Sequence, residues 1–228
     1  MADNNSRKGE RYATAEVSDY VNRVHAAHDA GLDEAFDAPN QHDIPAIMIG
    51  PSEGKTLEIL CRLARVERAV EIGTLAGYSA IWLARGMSPG GKLYSLELNE
   101  KHAAVARAAV ETAGLTDRVE IIVGDALESL EDLKAQGPFD LVFIDADKGR
   151  YDQYGRWAAQ NLREGGLLIG DNSYFFGRLL ESDTNADAMR RFHEQSADLF
   201  NSVCLPTPDG MVVGIRSDSL DENIIPDH

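Results

Sequence analysis

Arg68-Ala-Val-Glu-Ile-Gly-Thr-Leu-Ala-Gly-Tyr-Ser79 passes from a short apolar run into a turn punctuated by Gly73 and Gly77. A helical pattern follows at once, over Tyr78–Arg85. A strand ending in a glycine turn that opens a helix is the unit of an α/β sheet, and the same alternation recurs downstream. Lys92–Leu98 reads as a second strand, Glu100–Ala113 as a helix and Arg118–Val123 as a third strand. Asp140–Ile144 reads as a fourth strand, Tyr151–Leu162 as a helix and Gly166–Gly170 as a fifth strand. Continuous apolar strands separated by helices predict a parallel sheet covered on both faces.

The last part of the chain departs from this rhythm. Phe200–Leu205 and Met211–Arg216 are strand-like runs joined by Pro206-Thr-Pro-Asp-Gly210, a connection too short for a crossover helix. A hairpin is predicted there, so one of the two strands runs antiparallel. Upstream, Val17–Ala30 and Gly54–Leu63 read as helices that cap the sheet. The predicted fold class is therefore α/β: a doubly wound sheet, mostly parallel with an antiparallel strand from a C-terminal hairpin, and helices on both faces. One domain is expected over residues 13–217, including a helical cap at 13–65, with flexible tails at 1–12 and 218–228.

The 228 residues are 43% apolar and 26% charged, ordinary for a soluble globular chain. No run of 18 apolar residues exists to span a membrane, and Met1–Arg11 lacks the apolar stretch of a secretory signal. A cytoplasmic location is the expectation. A formal charge of −16, with no cluster of Lys and Arg, argues against a nucleic-acid partner. The two cysteines, Cys61 and Cys204, form no CxxC pattern and indicate neither a disulfide framework nor a zinc site. Cys61 lies in the apolar run Leu57–Leu63 and is expected in the core.

Glycines at a strand-to-helix turn allow backbone to approach a ligand, and the helix start offers free N–H groups. Alone, the turn at Gly73 is a weak signal, since it also suits a dinucleotide or no ligand at all. Two further acids sharpen it. Glu97 closes the second strand, where a carboxylate accepts from ribose hydroxyls, and Asp125 follows the third strand, placed to accept from an adenine amino group. Three polar stations at successive strand ends describe one crevice for an adenosyl ligand. Glu71, just before the glycines, is a poor neighbour for a pyrophosphate and a good one for a cation. S-adenosylmethionine, with its ammonium and sulfonium, is favoured over a dinucleotide.

The fourth strand ends in Phe143-Ile-Asp145-Ala-Asp147-Lys148 and the fifth in Gly170-Asp171-Asn172. Asp145, Asp171 and Asn172 thus reach the same sheet edge as the cofactor crevice. Oxygen donors of this kind suit Mg²⁺ first, with Ca²⁺ or Mn²⁺ as alternatives, rather than zinc. Asp-Asn after a strand also serves as a turn or cap, and that reading stays open for Asp171-Asn172. A phenol is mostly protonated at neutral pH, with a pKa of about 10. Chelation of two adjacent oxygens lowers that value and fixes one oxygen in line with a methyl group. Lys148 is placed to take the proton, unless it is an ordinary surface lysine.

These residues carry a family likeness. From Ile47 to Arg216 the chain resembles the catechol and caffeoyl-CoA type O-methyltransferases, which use S-adenosylmethionine and a divalent cation. The likeness rests on Val70-Glu-Ile-Gly-Thr-Leu-Ala-Gly-Tyr-Ser79, Ser95-Leu-Glu97, Gly124-Asp-Ala126, Phe139-Asp-Leu-Val-Phe-Ile-Asp-Ala-Asp-Lys148 and Gly170-Asp-Asn172. It implies a Rossmann-like fold in which Glu71, Gly73 and Ser79 hold the methionine end of the cofactor and Glu97 binds ribose. Ala126 with Asp125 would border adenine, Asp145 would adjoin the cofactor, and Ile49 would contact it through backbone. Asp145, Asp171 and Asn172 would be metal ligands, Asp145 and Lys148 the catalytic pair, and Lys148 the base. The acceptor would be a small phenolic molecule, and a homodimer is expected.

Ala146-Asp147 departs from the His-Trp pair of the catechol enzymes and resembles the caffeoyl-CoA branch, so the acceptor cannot be carried over. The N-terminal segment and the stretch Ser173–Ser182, with Tyr174, Phe175, Phe176 and Arg178, fall where the family lines its acceptor site; those aromatics either sandwich a ring or belong to core or dimer contacts. A CoA acceptor would call on Lys148, Arg150 and Arg178. The alternatives are a non-catalytic adenosyl sensor, a nicotinamide oxidoreductase, which predicts a GxGxxG turn that is missing, and a nucleic-acid methyltransferase, disfavoured by charge.

Overall fold

The computed structural model describes residues 13–217. The tails expected to be flexible, 1–12 and 218–228, lie outside the described residues. Seven strands form one sheet: β1 (Arg68–Ile72), β2 (Lys92–Glu97), β3 (Val119–Val123), β4 (Phe139–Ile144), β5 (Leu162–Gly170), β6 (Phe200–Leu205) and β7 (Met211–Arg216). Their spatial order is β3-β2-β1-β4-β5-β7-β6. The first five are parallel, and β7 is antiparallel to both β5 and β6. The Pro206–Gly210 hairpin is the reason, and the predicted reversed strand is β7.

Side chains alternate across the sheet and build two cores. Ala69, Leu141, Phe143, Leu167 and Ile169 face one side. There they meet α3 (Pro51–Ala64), α4 (Tyr78–Gly86) and α5 (Glu100–Thr112), with Leu57, Cys61, Ile81 and Trp82 buried among them. Val70, Ile72, Val142, Ile144 and Leu168 face the other side. That layer is α6 (Ala126–Leu133), α7 (Tyr151–Asn161) and α8 (Thr184–Leu199), with Tyr151, Tyr154, Trp157 and Phe192 buried. The expectation that Cys61 is a core residue holds: it is fully buried.

The helix expected over Val17–Ala30 is two helices, α1 (Ala15–His25) and α2 (Ala30–His42). Asp29 separates them, because its side chain accepts from Leu32 N and caps α2 while also pairing with Arg85 at 2.5 Å. Gly31 lets α2 lie against α5, since a β-carbon there would overlap Ala113.

Between β1 and β4 the sheet order reverses, and the helices leaving these strands go to opposite faces. That switch point opens a crevice beyond the strand ends, where α/β sheets bind ligands. It is lined by the residues following β1, β2, β3, β4 and β5.

Candidate active site

The crevice is a cavity of about 650 Å³. Ile49, Gly73, Ser79, Glu97, Gly124, Ala126, Asp145, Lys148 and Asn172 all line it, so most of the predicted site residues share one space. Gly73 has φ +95° and runs so close to the fourth strand that a β-carbon would overlap the Asp145 carbonyl oxygen. The glycine is what allows the β1 and β4 turns to meet.

Glu71 lies beneath this turn and is fully buried. Its Oε2 accepts from Ser95 Oγ at 2.5 Å and from Thr74 Oγ1 at 3.2 Å. Its Oε1 has no hydrogen-bond partner of normal geometry. Burial pushes the Glu71 carboxyl up to about 7, against the opposing pull of the Ser79, Ser95 and Thr74 hydroxyls. A buried carboxyl with one oxygen lacking a well-aligned donor is suited to a cationic partner.

Glu97 is committed on both oxygens to backbone: Oε2 accepts from Leu75 N and Oε1 from Asn99 N, each at 2.9 Å. These bonds fasten the β2 end to the glycine turn and fix the carboxylate at the cavity wall, with His102 Nδ1 at 3.4 Å. Asp125 is placed differently from the others. It caps α6 by accepting from Leu127 N, and its Oδ2 takes Arg150 Nη1 at 2.7 Å, which lowers its pKa. Arg150 also binds Asp147 Oδ2 through Nε at 2.8 Å, and Asp147 accepts from Tyr154 OH at 2.6 Å. The guanidinium therefore straps the β3 turn to the β4 turn at one end of the cavity.

At the opposite end, Lys148 Nζ donates to Asp145 Oδ1 at 3.0 Å and to Tyr151 OH at 2.7 Å. The Tyr151 hydroxyl faces the carbonyl oxygens of Ile144 and Asp171, tying this lysine to both strand ends. Burial, then the charges of Asp145 and Asp171, hold that hydroxyl well above the usual phenol value. Asp171 is buried, and its Oδ1 has no hydrogen-bond partner. Burial, then the like charges of Asp145 and Glu53, push Asp171 up to about 8. Asn172, at φ +51°, follows in the left-handed conformation and turns the chain along the cavity.

The loop after Asn172 is held by the β6–β7 turn. Ser173 N donates to Gly210 O, Tyr174 N to Asp209 O and Phe176 N to Asp209 Oδ1, at 2.9, 2.7 and 2.8 Å. The three aromatics separate: Phe175 is core, Tyr174 packs on Gly210, and Phe176 stands exposed at the cavity mouth. Burial raises the pKa of Asp209, and the neighbouring Asn172 side chain lowers it. Glu53, at the start of α3, has its pKa raised by burial and by the charges of Asp145 and Asp209. Glu53, Asp209, Tyr151 and the Arg150 strap were missed in the sequence. The only signal available was Asp209-Gly210, which reads as a turn.

Among the described residues no three His, Cys, Asp or Glu side chains form a preformed metal cage. The candidate donors are instead two carboxylates and one amide oxygen. They fit a hard dication: Asp171 carries a bare buried oxygen, and Asp145 raises its pKa by repulsion that a cation would relieve.

A mostly parallel sheet with a reversed seventh strand, and acids at the ends of β1 and β2, is the architecture of Rossmann-like methyltransferases. A profile of the O-methyltransferase family matches residues 23–216, and the chain belongs to that family. A catechol O-methyltransferase of Niastella koreensis is 36% identical over 211 residues, covering 87% of this chain and 96% of the relative. One from Mycobacterium tuberculosis is 41% identical over 174 residues, covering 76% and 79%. The structure of a Bacillus cereus O-methyltransferase in complex with SAH superposes with a TM-score of 0.84 at 37% identity, covering 89% and 97% of the two chains. The protein is an O-methyltransferase, and the oxidoreductase and sensor alternatives fall away.

Proposed function

We propose that this enzyme transfers the methyl group of S-adenosylmethionine to a hydroxyl of a small phenolic acceptor with vicinal oxygens, in a divalent-cation-dependent reaction. The observation that carries the reading is the bare buried oxygen of Asp171 beside Asp145, behind the cavity that Asp145, Asn172 and Glu97 line. Glu71, through the Gly73 turn and Ser79, would receive the methionine end of the cofactor. Glu97 would take the ribose, and Gly124 and Ala126 the adenine, with Asp125 and Arg150 closing that edge. Ile49 would pack on the cofactor from the cap.

Asp145, Asp171 and Asn172 would hold the cation, Mg²⁺ first. When bound, it supplies Lewis-acid stabilisation of negative charge on the acceptor oxygen. Lys148 Nζ, oriented by Asp145 and Tyr151, is the nitrogen at the acceptor end that would take the phenolic proton, a role that requires it first to give up its own proton to solvent and act as the neutral amine. The buried wall of Ile72, Leu96 and Tyr78 keeps water from the transfer path.

Two free cysteines suit a reducing, cytoplasmic setting. No described helix is long and apolar enough to cross a membrane. A homodimer is supported by α1, which exposes Val17, Tyr20, Val21 and Val24 at helical spacing. The test is methyl transfer from labelled cofactor to a catechol, with Mg²⁺ and then with EDTA. Turnover abolished by EDTA and restored by Mg²⁺ is expected. Turnover indifferent to EDTA would remove the cation from the reaction.

A further inference from the structure

The Ala146-Asp147 pair resembles the caffeoyl-CoA branch, whose acceptor is a large polyanion, and such an acceptor needs free cations at the mouth. Among the described residues, the three candidate cations are all occupied. Lys148 binds Asp145 at 3.0 Å, and Arg150 is shared between Asp147 at 2.8 Å and Asp125 at 2.7 Å. Arg178 binds Glu181 at 2.8 Å and Asp183 at 3.1 Å. Lys148 and Arg150 are the lysine and arginine that line the cavity.

Acid surrounds them. Glu97, Asp145 and Asp147 line the cavity, with Glu71 and Asp171 buried behind it. Two more carboxylates adjoin the lining: Glu53 accepts from Gly50 N at 2.7 Å, next to Ile49, and Asp209 accepts from Phe176 N at 2.8 Å. Carboxylates that line or adjoin the cavity therefore outnumber the two cations. A cationic cofactor and a dication would offset this excess without turning the mouth positive. The rest of the entrance is apolar: Ile47, Leu98 and Phe176 are 69%, 70% and 64% exposed there.

We propose that the acceptor end of the cavity selects neutral and amine-bearing phenols and discriminates against carboxylate and CoA thioester acceptors. The inference rests on the methyl-transfer reading above and narrows its acceptor. The apolar rim holds the ring, and the surrounding carboxylates repel a negative tail and attract a positive one. Because the rim is open to water, the preference is sensitive to salt. The Debye length shortens from about 30 Å at 0.01 M to about 8 Å at 0.15 M, which weakens the field at the tail of the acceptor.

The experiment compares kcat/KM for three catechols of matched size: dopamine, 4-ethylcatechol and 3,4-dihydroxyphenylpropionate, with caffeoyl-CoA as a fourth. At low salt the amine is expected to exceed the carboxylate by about tenfold or more, with the neutral compound between them. The ratio should shrink severalfold at 0.15 M salt. Ile47→Lys, which places a cation at the exposed rim, should move the carboxylate-to-amine ratio upward severalfold. Efficient turnover of the neutral catechol with the carboxylate or CoA ester as good as the amine overturns the charge inference and leaves methyl transfer standing. No turnover of any of the four, with cofactor binding intact by calorimetry, overturns the acceptor reading and this inference with it.

Discussion

Cofactor binding to this enzyme should release a proton, and Glu71 is the source. In the free protein its carboxyl is fully buried and titrates at about 7, so at pH 6 about nine molecules in ten carry the proton. An ammonium reaching the bare Oε1 favours the ionised form and drives the proton off. For a single group with this pKa, binding releases about 0.9 proton at pH 6, about 0.5 at pH 7 and about 0.1 at pH 8. The same linkage makes the apparent Kd about tenfold weaker at pH 6 than at pH 8. The assay is titration calorimetry with S-adenosylhomocysteine, which binds without turnover, in buffers of different ionisation enthalpy. Saturating Mg²⁺ keeps Asp171 ionised, so its proton does not enter the count. Glu71→Gln should flatten the pH dependence and weaken binding by roughly 10- to 100-fold, the value of a hydrogen bond to a charged group. A Kd constant within twofold from pH 6 to 8, with no buffer-dependent heat, refutes the reasoning: Glu71 would then be a structural partner of Ser95 and nothing more.

Asp171→Asn keeps the shape of the side chain and removes its charge; turnover in Mg²⁺ should fall at least 100-fold while calorimetric cofactor affinity stays within about threefold. Gly73→Ala forces a β-carbon into the Asp145 carbonyl at φ +95°, and urea denaturation should show a loss of about 3–5 kcal/mol. Asp209→Ala removes the acceptor of Phe176 N; Mg²⁺ affinity should drop about tenfold, and limited proteolysis should cut near residues 173–178 faster. Stability without cation or cofactor should fall as pH rises. Both Glu71 and Asp171 have folded pKa values above their ordinary ones, so protonation favours the fold. Their contribution is complete below about pH 4 and is lost as pH rises to about 7 for Glu71 and about 8 for Asp171. Glu71 alone accounts for about 3 kcal/mol across that window. Thermal denaturation from pH 5 to 8 should show Tm falling, and Mg²⁺ with S-adenosylhomocysteine should flatten the slope.

The sequence displayed the parallel sheet because each strand is a short apolar run cut off by glycine or charge. β1, β6 and β7 have the limits their composition predicts. The helices that went unread are those whose signal is weak in one dimension. α2 carries Gly31 and Pro39 inside it, α6 has only eight residues, and α8 hides Ala186, Met189 and Phe192 among charges. For the candidate site, every residue at a strand end was visible, since strand ends converge by topology. Glu53 and Asp209 were not, because they arrive from the cap and from the hairpin, and only tertiary packing brings those segments to the β4 and β5 ends. Asp125 shows the converse: its position was legible, its occupation by Arg150 was not.

The two carboxyls pushed furthest from their ordinary values, Glu71 and Asp171, each keep one oxygen without a hydrogen bond. Buried acids left this way lower the stability of the free protein. A fold selected for stability alone would have given these oxygens donors, as it did for Glu97, which spends both of its oxygens on backbone. The contrast assigns different work to acids in one crevice. Glu97 has a donor on each oxygen before any ligand arrives, which fixes it in the wall with lone pairs left over for ribose hydroxyls. Glu71 and Asp171 are unfinished, and each lies toward an end where the proposed reaction brings positive charge: the ammonium at one, the dication at the other. On the proposed reading, stability given up at these two carboxyls would be recovered on binding, so the groups that destabilise the free enzyme would be the ones that distinguish its ligands from neutral analogues of the same shape.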